Sequence, residues 1–366
     1  MKVKVGEITK IKTGKLDANA SSADGKYPFF TCSKDPLRIN SYSYDCECVL
    51  VAGNGDLNVK YYNGKFDTYQ RTYIIEDNSN GLLYMPYLYH FLEGYIGELR
   101  KQSIGGVIKY IKLGNLTDVL VELPSIVEQK YIVNLMNISL ELIELRKKTI
   151  DKLDSLVKAR FIEMFGDPLD GSAKYPIHQV GEVADTIDPQ PSHRTPPIDE
   201  SGIPYISIRD CNYKTGRIDF EGARKVSRKI LEEQSKRYTL HDGDFVIGKI
   251  GTIGNPVFIP PRDDYTLSAN VVLVQPNNNL VSPYFLKYSL ESGYVDRQFA
   301  EAKNSTSQAA FGIQKVRTIK VMNPDLNIQR KFDNFVKQVD KSREEVKKSL
   351  EKTQQLYDSL MQEYFG

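Results

Sequence analysis

The sequence from residue 121 to residue 166 reads VELPSIVEQKYIVNLMNISLELIELRKKTIDKLDSLVKARFIEMFG, and it returns 200 positions later as VMNPDLNIQRKFDNFVKQVDKSREEVKKSLEKTQQLYDSLMQEYFG at residues 321–366. The match includes a proline near the start, a Gln followed by a basic residue, and a terminal Phe-Gly. Because the register holds for over forty residues without a gap, the two stretches indicate an internal repeat.

Both copies are predicted to form long helices. From Ile126 to Phe165 and from Ile328 to Phe365 there is no proline or glycine, and Glu, Lys and Leu are abundant. Each helix would be about 60 Å long at about 1.5 Å per residue. Such helices would leave an apolar stripe exposed to water unless they pack on something.

We predict that the two helices pair as an antiparallel coiled coil, because apolar residues recur at every seventh position and a second row accompanies them. Two independent helices, each packed on its own domain, are the alternative. Besides Phe335, the predicted pairing residues are Leu135, Met136, Leu142, Ile143, Ile150, Leu156, Val157, Met164, Val336, Leu350, Leu356, Tyr357 and Tyr364.

A second and shorter repeat lies 175 positions apart, where Val5-Gly6-Glu7-Ile8 returns as Val180-Gly181-Glu182-Val183. Between the repeats, residues 9–120 and 184–320 resemble each other little. We therefore predict a variable domain over 1–124, a helix over 125–166, a second variable domain over 167–324 and a second helix over 325–366.

The variable segments have the same predicted order, which is several strands, then a helix, then a polar loop. In the first, the strands are 44–52 and 72–75, the helix is 85–99 and the loop is 101–106. In the second, the strands are 203–208, 244–249 and 270–274, the helix is 283–299 and the loop is 302–308. The fold class is thus α+β, with one mixed α/β fold used twice.

Composition excludes several classes of protein. The net charge is +2, with 26% charged and 40% hydrophobic residues, which favours a folded globular chain that does not coat nucleic acid by charge alone. No apolar run is long enough for a bilayer span, and the four cysteines are too few for a disulfide framework. We expect a soluble, cytoplasmic protein with reduced thiols.

Motifs for catalysis or metal binding are weak. Cys46 and Cys48 lack the spacing of a zinc site. Residues 255–258, NPVF, resemble part of the adenine methyltransferase motif, but a hairpin turn is the better interpretation because the third residue is Val and no glycine-rich cofactor loop precedes it. Glu301 and Lys303 have a nuclease-like spacing without a convergent acidic partner. We expect no catalytic residue, no metal and no cofactor in this chain.

Two divergent segments that alternate with two similar helices resemble the specificity subunit of type I restriction-modification enzymes. Local sequences carry the same resemblance: IPYISIRD at 203–210, LHDGDFVI at 240–247 followed by GTIG at 251–254, LPSIVEQ at 123–129, NPDLNIQ at 323–329, and the Phe-Gly that ends both helices. It covers essentially the whole chain.

The resemblance implies that each variable segment is a target-recognition domain that reads one half of a split double-stranded DNA sequence. The helices would set the gap between the halves and dock two DNA methyltransferase subunits. Those subunits would bind S-adenosylmethionine, and they would recruit a restriction and translocation subunit where one is present. A rigid spacer between two different readers would give an asymmetric site with a fixed gap.

Candidate DNA contacts are the Arg, Lys, Asn, Gln and neighbouring polar or tyrosine residues of the variable segments, since these side chains read base edges or contact phosphates. In the first domain they are Lys60, Tyr61, Tyr62, Lys65, Gln70, Arg71, Arg100, Lys101 and Gln102. In the second they are Arg209, Asn212, Lys214, Arg217, Lys249, Thr252, Asn304, Ser305, Thr306, Ser307, Gln308 and Lys315. For each of them, a solvated loop residue is the alternative.

A second function also fits the pattern. The chain would then be a non-catalytic coiled-coil adaptor whose globular domains bind proteins. That hypothesis predicts that binding does not depend on any DNA sequence.

Overall fold

The computed structural model describes residues 1–192, 194–213, 215–249, 254–304 and 312–366, with the side chains of 302–304 left out. The chain divides into two compact units. The first unit contains residues 1–149 and 346–366, and the second contains residues 150–345. Each unit therefore combines one variable segment with parts of both repeat helices.

The amino-terminal repeat is built from eight strands and four helices in chain order, apart from one short 3-10 turn. They are β1 (Lys2–Lys4), α1 (Val5–Ile8), β2 (Thr9–Thr13), β3 (Tyr27–Phe30), β4 (Leu37–Ile39), β5 (Tyr44–Ala52), β6 (Val59–Thr68), β7 (Thr72–Asp77), α2 (Met85–Gln102), α3 (Gly114–Thr117), β8 (Leu120–Glu122) and the long helix α4 (Ile126–Phe165).

Six of these strands form one sheet in the order β2-β7-β5-β6-β3-β4, in which only the β3–β6 pair is parallel. Side chains of β5 alternate between two cores, as the twofold period of a strand requires. Val49 and Val51 pack in the core that contains α2. Cys48 and Leu50 pack on the other face against Phe66.

The second repeat follows α4 and ends with the second long helix. Its elements are β9 (Ile177–Gln179), α5 (Val180–Val183), β10 (Ala184–Ile187), β11 (Ile203–Ile206), β12 (Cys211–Asn212), β13 (Arg217–Ile218), β14 (Lys225–Val226), α6 (Arg228–Gln234), β15 (Phe245–Gly248), β16 (Gly254–Phe258), β17 (Thr266–Leu267), β18 (Val271–Pro276), α7 (Pro283–Leu290), α8 (Gly293–Asn304), α9 (Ile313–Arg317), β19 (Lys320–Met322) and α10 (Leu326–Phe365).

The second repeat uses the same strand order as the first, but its strands are divided between a four-stranded and a three-stranded sheet. Strands β10-β18-β15-β16 correspond to β2-β7-β5-β6, and β17-β11-β14 correspond to the end of β6 with β3 and β4. The β11–β17 pair is parallel, like β3–β6, and β9 pairs with β19 as β1 pairs with β8. The prediction of one mixed α/β fold used twice is confirmed.

Two local predictions were wrong. The predicted helix over 283–299 is two helices, because the hydroxyl of Ser292 donates to the Ser289 carbonyl (2.6 Å) and Gly293 follows. Residues 255–258 are not a hairpin turn but lie in β16. There Asn255 has φ +54° and Val257 is buried.

Segments of the two long helices pack together and run antiparallel within each unit. In the first unit, the guanidinium of Arg146 donates to the hydroxyl of Thr353, and Tyr364 lies in the core that contains Met136. In the second unit, Arg343 forms a 2.7 Å ion pair with Asp154.

The same direction holds in the aromatic core of the second unit, where the rings of Phe161 and Phe332 are 5.5 Å apart. Phe161 lies after Asp154 in its helix, while Phe332 lies before Arg343 in its own. Residue numbers therefore increase in opposite directions along the two helices, so the helices run antiparallel, as predicted.

The predicted second row of the helix pair needs a correction. The first row lies inward, with Met136, Ile143, Val157 and Val336 buried and Ile150, Met164, Leu350, Tyr357 and Tyr364 half-buried. Of the second row, Leu135 and Phe335 are half-buried, but Leu142, Leu156 and Leu356 are 39%, 47% and 54% exposed.

The inward second row lies three residues after each position of the first, as alternating steps of three and four require. In α4 this row contains Ser139, Arg146 and Leu153, and in α10 it contains Val339 and Thr353, all buried or half-buried. Its polar members interrupt the apolar periodicity, so the pattern alone did not predict it.

Among the helices of the described residues, none combines the length and apolar character needed to cross a bilayer.

Candidate nucleic-acid interface

Strand β6 carries four of the predicted DNA contacts, and the structure gives them different surroundings. Lys60 is half-buried and donates to the side chain of Asn58, and burial lowers its pKa. The hydroxyl of Tyr61 donates to Glu47 (2.7 Å). Tyr62 packs against Phe30 and Phe66, so its ring belongs to the core on that face of the sheet.

Lys65 lies apart from Lys60, since five residues of strand span about 16 Å. Its ammonium is 4.8 Å from the centre of the Tyr42 ring, and a hydrogen bond with Tyr42 raises its pKa. The four β6 residues therefore do not form one site.

A second group lies at one edge of the first unit, around the loop of residues 53–56. The amide of Gly53 donates to the Arg71 carbonyl (2.8 Å), which holds the turn that exposes Gln70 and Arg71. The guanidinium of Arg100 donates to Asp56 (2.8 Å) and to the Leu57 carbonyl (3.0 Å). This loop therefore links the β6–β7 turn to the end of α2.

The end of α2 is also held by side-chain contacts. Lys101 pairs with Glu98 (2.6 Å), and Gln102 accepts a hydrogen bond from Asn115 (3.1 Å). Both residues are exposed. An exposed ion pair of this kind contributes little to stability because solvent screens it, so a phosphate can replace Glu98 at little cost.

In the second unit, Arg209, Asn212 and Arg217 line one open cavity of about 570 Å³. The cavity is built on the β12–β13 hairpin, where Asn212 pairs with Arg217. Asp210 and Asp219 lie in the same wall. Arg can bind guanine through O6 and N7, Asn can bind adenine, and Asp can accept from cytosine N4, so this cavity offers donors and acceptors suited to base edges.

The base of the hairpin is fixed by its own hydrogen bonds. Ser207 caps a 3-10 turn at Ile208–Asp210, and the Asp210 carboxylate accepts from the backbone and hydroxyl of Ser207 (2.7 and 2.8 Å). Cys211 is buried, and burial raises the pKa of its thiol to about 12. Its side chain is therefore an anchor in the core rather than a reactive group.

This hairpin has no counterpart in the first unit. Residues 31–36 connect β3 to β4, whereas residues 207–224 connect the corresponding β11 to β14. The longer connection contains the whole cavity lining, so the two units present different chemistry from the same strand order.

The structure does not support Lys249 as an exposed residue that contacts DNA bases. Its side chain is 6% exposed, and its ammonium lies 2.7 Å from the Asp188 carboxylate, which is 16% exposed. Lys315 is half-buried near the start of α9. Lys214, Thr252, Ser305, Thr306, Ser307 and Gln308 lie outside the described residues, and Asn304 is described only as the last residue of α8.

The sequence did not predict a hairpin over residues 104–110, which we call the tip loop. Its Val107 is fully exposed and Ile108 is 62% exposed. The predicted DNA contacts are polar and tyrosine side chains, and Val107 and Ile108 belong to neither kind. The cue was present in two neighbouring glycines, Gly105 and Gly106, followed by two branched apolar residues.

Within the described residues, no three His, Cys, Asp or Glu side chains are grouped so that they could hold a metal ion. The Cys46 thiol donates to Glu76 (3.3 Å), and burial raises its pKa to about 11. The raised pKa keeps the Cys46 thiol protonated.

The family model described as "Type I restriction modification DNA specificity domain" matches residues 1–155 and 173–355. The chain belongs to this family.

Two relatives in Escherichia coli are specificity subunits of type I restriction enzymes. This chain is 42% identical to the EcoDI subunit over 156 residues, which are 43% of this chain and 34% of that relative. It is 19% identical to the EcoBI subunit over 306 residues, which are 76% of this chain and 64% of that relative. The chain thus matches less than two thirds of the length of either relative.

A solved structure has the same fold. The S subunit of a type I restriction-modification system from M. genitalium matches with a TM-score of 0.65 at 17% identity, over 100% of this chain and 96% of that chain. At this identity, the likeness shows the fold.

Proposed function

We propose that this chain is the non-catalytic DNA-binding subunit of a type I restriction-modification complex, in which each unit binds one half of a split DNA sequence. One observation carries the proposal. The same strand order occurs in both units, with different loops exposed on each. Two readers that share a scaffold but differ in their loops would recognise two different half-sites.

The contacts with bases would come mainly from the loops that the scaffolds hold. In the second unit these are Arg209, Asn212 and Arg217 of the cavity. In the first unit they are the exposed Gln70 and Arg71 with the end of α2. Arg and Asn can distinguish guanine and adenine in the major groove.

The proposed partners are double-stranded DNA, two DNA methyltransferase subunits and, where present, restriction and translocation subunits. The repeat helices would dock the methyltransferases and set the gap between the half-sites. S-adenosylmethionine would be bound by the methyltransferases. With a net charge of only +2, the chain would depend on these partners for part of its phosphate binding.

The first test of this function is the adenine methylation pattern of cells that express the chain with a partner methyltransferase. We expect methylation at a split sequence with a fixed gap, and its loss when the chain is deleted. Exchange of residues 9–120 for another recognition domain should change one half of that sequence only. Unchanged methylation with an active, co-purifying methyltransferase would favour the protein-binding adaptor.

Arg209→Ala should weaken binding to the half-site of the second unit by about tenfold, since a good contact between Arg and guanine contributes about 1–3 kcal/mol of discrimination. The measurement is the affinity of the assembled complex for duplexes with single base changes, at one salt concentration. The half-site of the first unit should be read as before.

Arg237→Ala is the matched control, because it removes the same charge from an exposed position outside the cavity lining. It should leave the preference among bases unchanged. If Arg209→Ala instead weakens binding equally on all sequences, Arg209 contacts phosphate and does not read a base.

A further inference from the structure

The tip loop of the first unit exposes apolar side chains that nothing in the unit covers. Val107 is fully exposed, Ile108 is 62% exposed and Ile104 is 43% exposed. Branched apolar side chains at a loop tip are unfavourable in water, and burying them against a ligand is favourable. The exposure of these three side chains therefore indicates that they contact a ligand.

The tip loop is held firmly although its side chains are exposed. Ile104 and Tyr110 exchange two backbone hydrogen bonds (3.0 and 2.8 Å). Gly105 has φ +116°, and a Cβ there would lie 2.6 Å from the Ile108 carbonyl oxygen, so the turn requires glycine. A fixed turn presents Val107 and Ile108 with little entropy left to lose on binding.

The loop is also fastened to the edge that contains the candidate DNA contacts. The amide of Gly55 donates to the Lys109 carbonyl (2.9 Å), and the amide of Ile111 donates to the Gly53 carbonyl (2.9 Å). The amide of Gly53 in turn donates to the Arg71 carbonyl. The tip loop, the β6–β7 turn and the end of α2 therefore form one continuous edge.

Charge on this edge indicates what the apolar tip meets. The segment 100–112 contains Arg100, Lys101, Lys109 and Lys112 and no acidic residue. All four basic residues are exposed, and the surface ion pairs of Arg100 with Asp56 and of Lys101 with Glu98 are weak enough for phosphates to replace them. A surface that is apolar at its centre and basic around it fits a polyanion with apolar groups in a groove, because the basic residues can bind phosphates while the centre enters the groove.

We propose that Val107 and Ile108 read thymine in the half-site of the first unit, by contact with its 5-methyl group in the major groove. This inference rests on the proposed function. The thymine methyl is the apolar feature of the major-groove pattern, and apolar side chains are the ones that recognise it. A half-site position can thus be specified without a hydrogen bond.

Counted back without a gap from β8 and β19, the corresponding positions in the second repeat are Ser307 and Gln308, which lie outside the described residues. The sequence therefore places polar residues where the first repeat has Val and Ile. Two DNA-binding units that differ in this way would select different bases.

The test compares duplexes in which thymine is replaced by deoxyuridine, which removes only the methyl group. We expect the wild-type complex to bind about fourfold more weakly when the contacted thymine is replaced, as about 0.8 kcal/mol is lost per methyl. The double variant Val107→Ser, Ile108→Ser should bind the thymine and deoxyuridine duplexes equally.

Leu120→Ser is the control, since Leu120 is 59% exposed on β8, outside the tip loop. It should keep the full preference for thymine. The inference is overturned if the double variant keeps that preference, if no replacement affects wild-type binding, or if the half-site contains no thymine. A wild-type complex that binds no sequence preferentially would refute the proposed function itself.

Discussion

Gln129→Leu is expected to destabilise the first unit by about 4 kcal/mol. Gln129 is fully buried. Its side-chain oxygen accepts from the Tyr84 amide (2.8 Å), and its side-chain nitrogen donates to the carbonyls of Leu82 (2.8 Å) and Pro124 (2.9 Å). Leucine has a similar size but removes the partner of these three part-buried backbone groups, and for groups that are only part-buried each loss lies toward the lower end of about 1–3 kcal/mol.

Hydrogen exchange is the appropriate measurement, because a chain with two compact units need not unfold in one step. The Tyr84 amide should lose protection most, since Gln129 is its acceptor and Tyr84 precedes the first residue of α2. Protection in the second unit should change little. Unchanged exchange at Tyr84 would show that Gln129 does not hold the start of α2.

The second repeat provides an internal replicate of this experiment. Gln329 is also fully buried, accepts from the Ser282 amide (2.7 Å) and donates to the Pro324 carbonyl (2.7 Å). Gln329→Leu should therefore destabilise the second unit by a similar amount. Gln338→Leu makes the same change at an exposed position of α10 and should stay within about 0.5 kcal/mol of wild type.

These two glutamines illustrate how much the sequence could predict. The repeat at offset 200 pairs Gln129 with Gln329 from residue identities alone, and it predicts the two helices and a fold used twice. It does not show that both side chains cap the chain before α2 and α7. The Pro124 and Pro324 carbonyls lie five positions before the two glutamines, but their other backbone partners are 45 to 49 positions away, and only the tertiary fold brings these together.

For the candidate DNA contacts, the sequence predicts residue type but not exposure. Residue type indicates what a side chain can bind, but exposure decides whether it can reach a ligand. Arg209, Asn212 and Arg217 line one cavity, while Tyr62 lies against a core. The tip loop was missed because Val107 and Ile108 have the residue types of a core, and only the structure exposes them.

Lys249→Met is expected to destabilise the second unit by about 3–5 kcal/mol. Any effect on DNA binding should follow from this lost stability and not from a lost contact with DNA. The Lys249 ammonium and the Asp188 carboxylate are 2.7 Å apart and almost enclosed. Removal of the cation leaves the carboxylate in a poorly hydrated site, and breaking a buried pair in this way is costly. Urea unfolding monitored by hydrogen exchange in β15 and β18 measures the effect.

Lys249→Met combined with Asp188→Leu distinguishes a structural pair from a DNA-binding lysine. Because replacement of both members of a buried pair by apolar residues is often neutral, the double variant should recover most of the lost stability, and DNA binding by the assembled complex should recover with it. Lys236→Met, at an exposed position of the same unit, controls for loss of charge. If the double variant is stable but binds the second half-site no better than Lys249→Met, Lys249 contributes to DNA binding directly, and the assignment to the core is wrong.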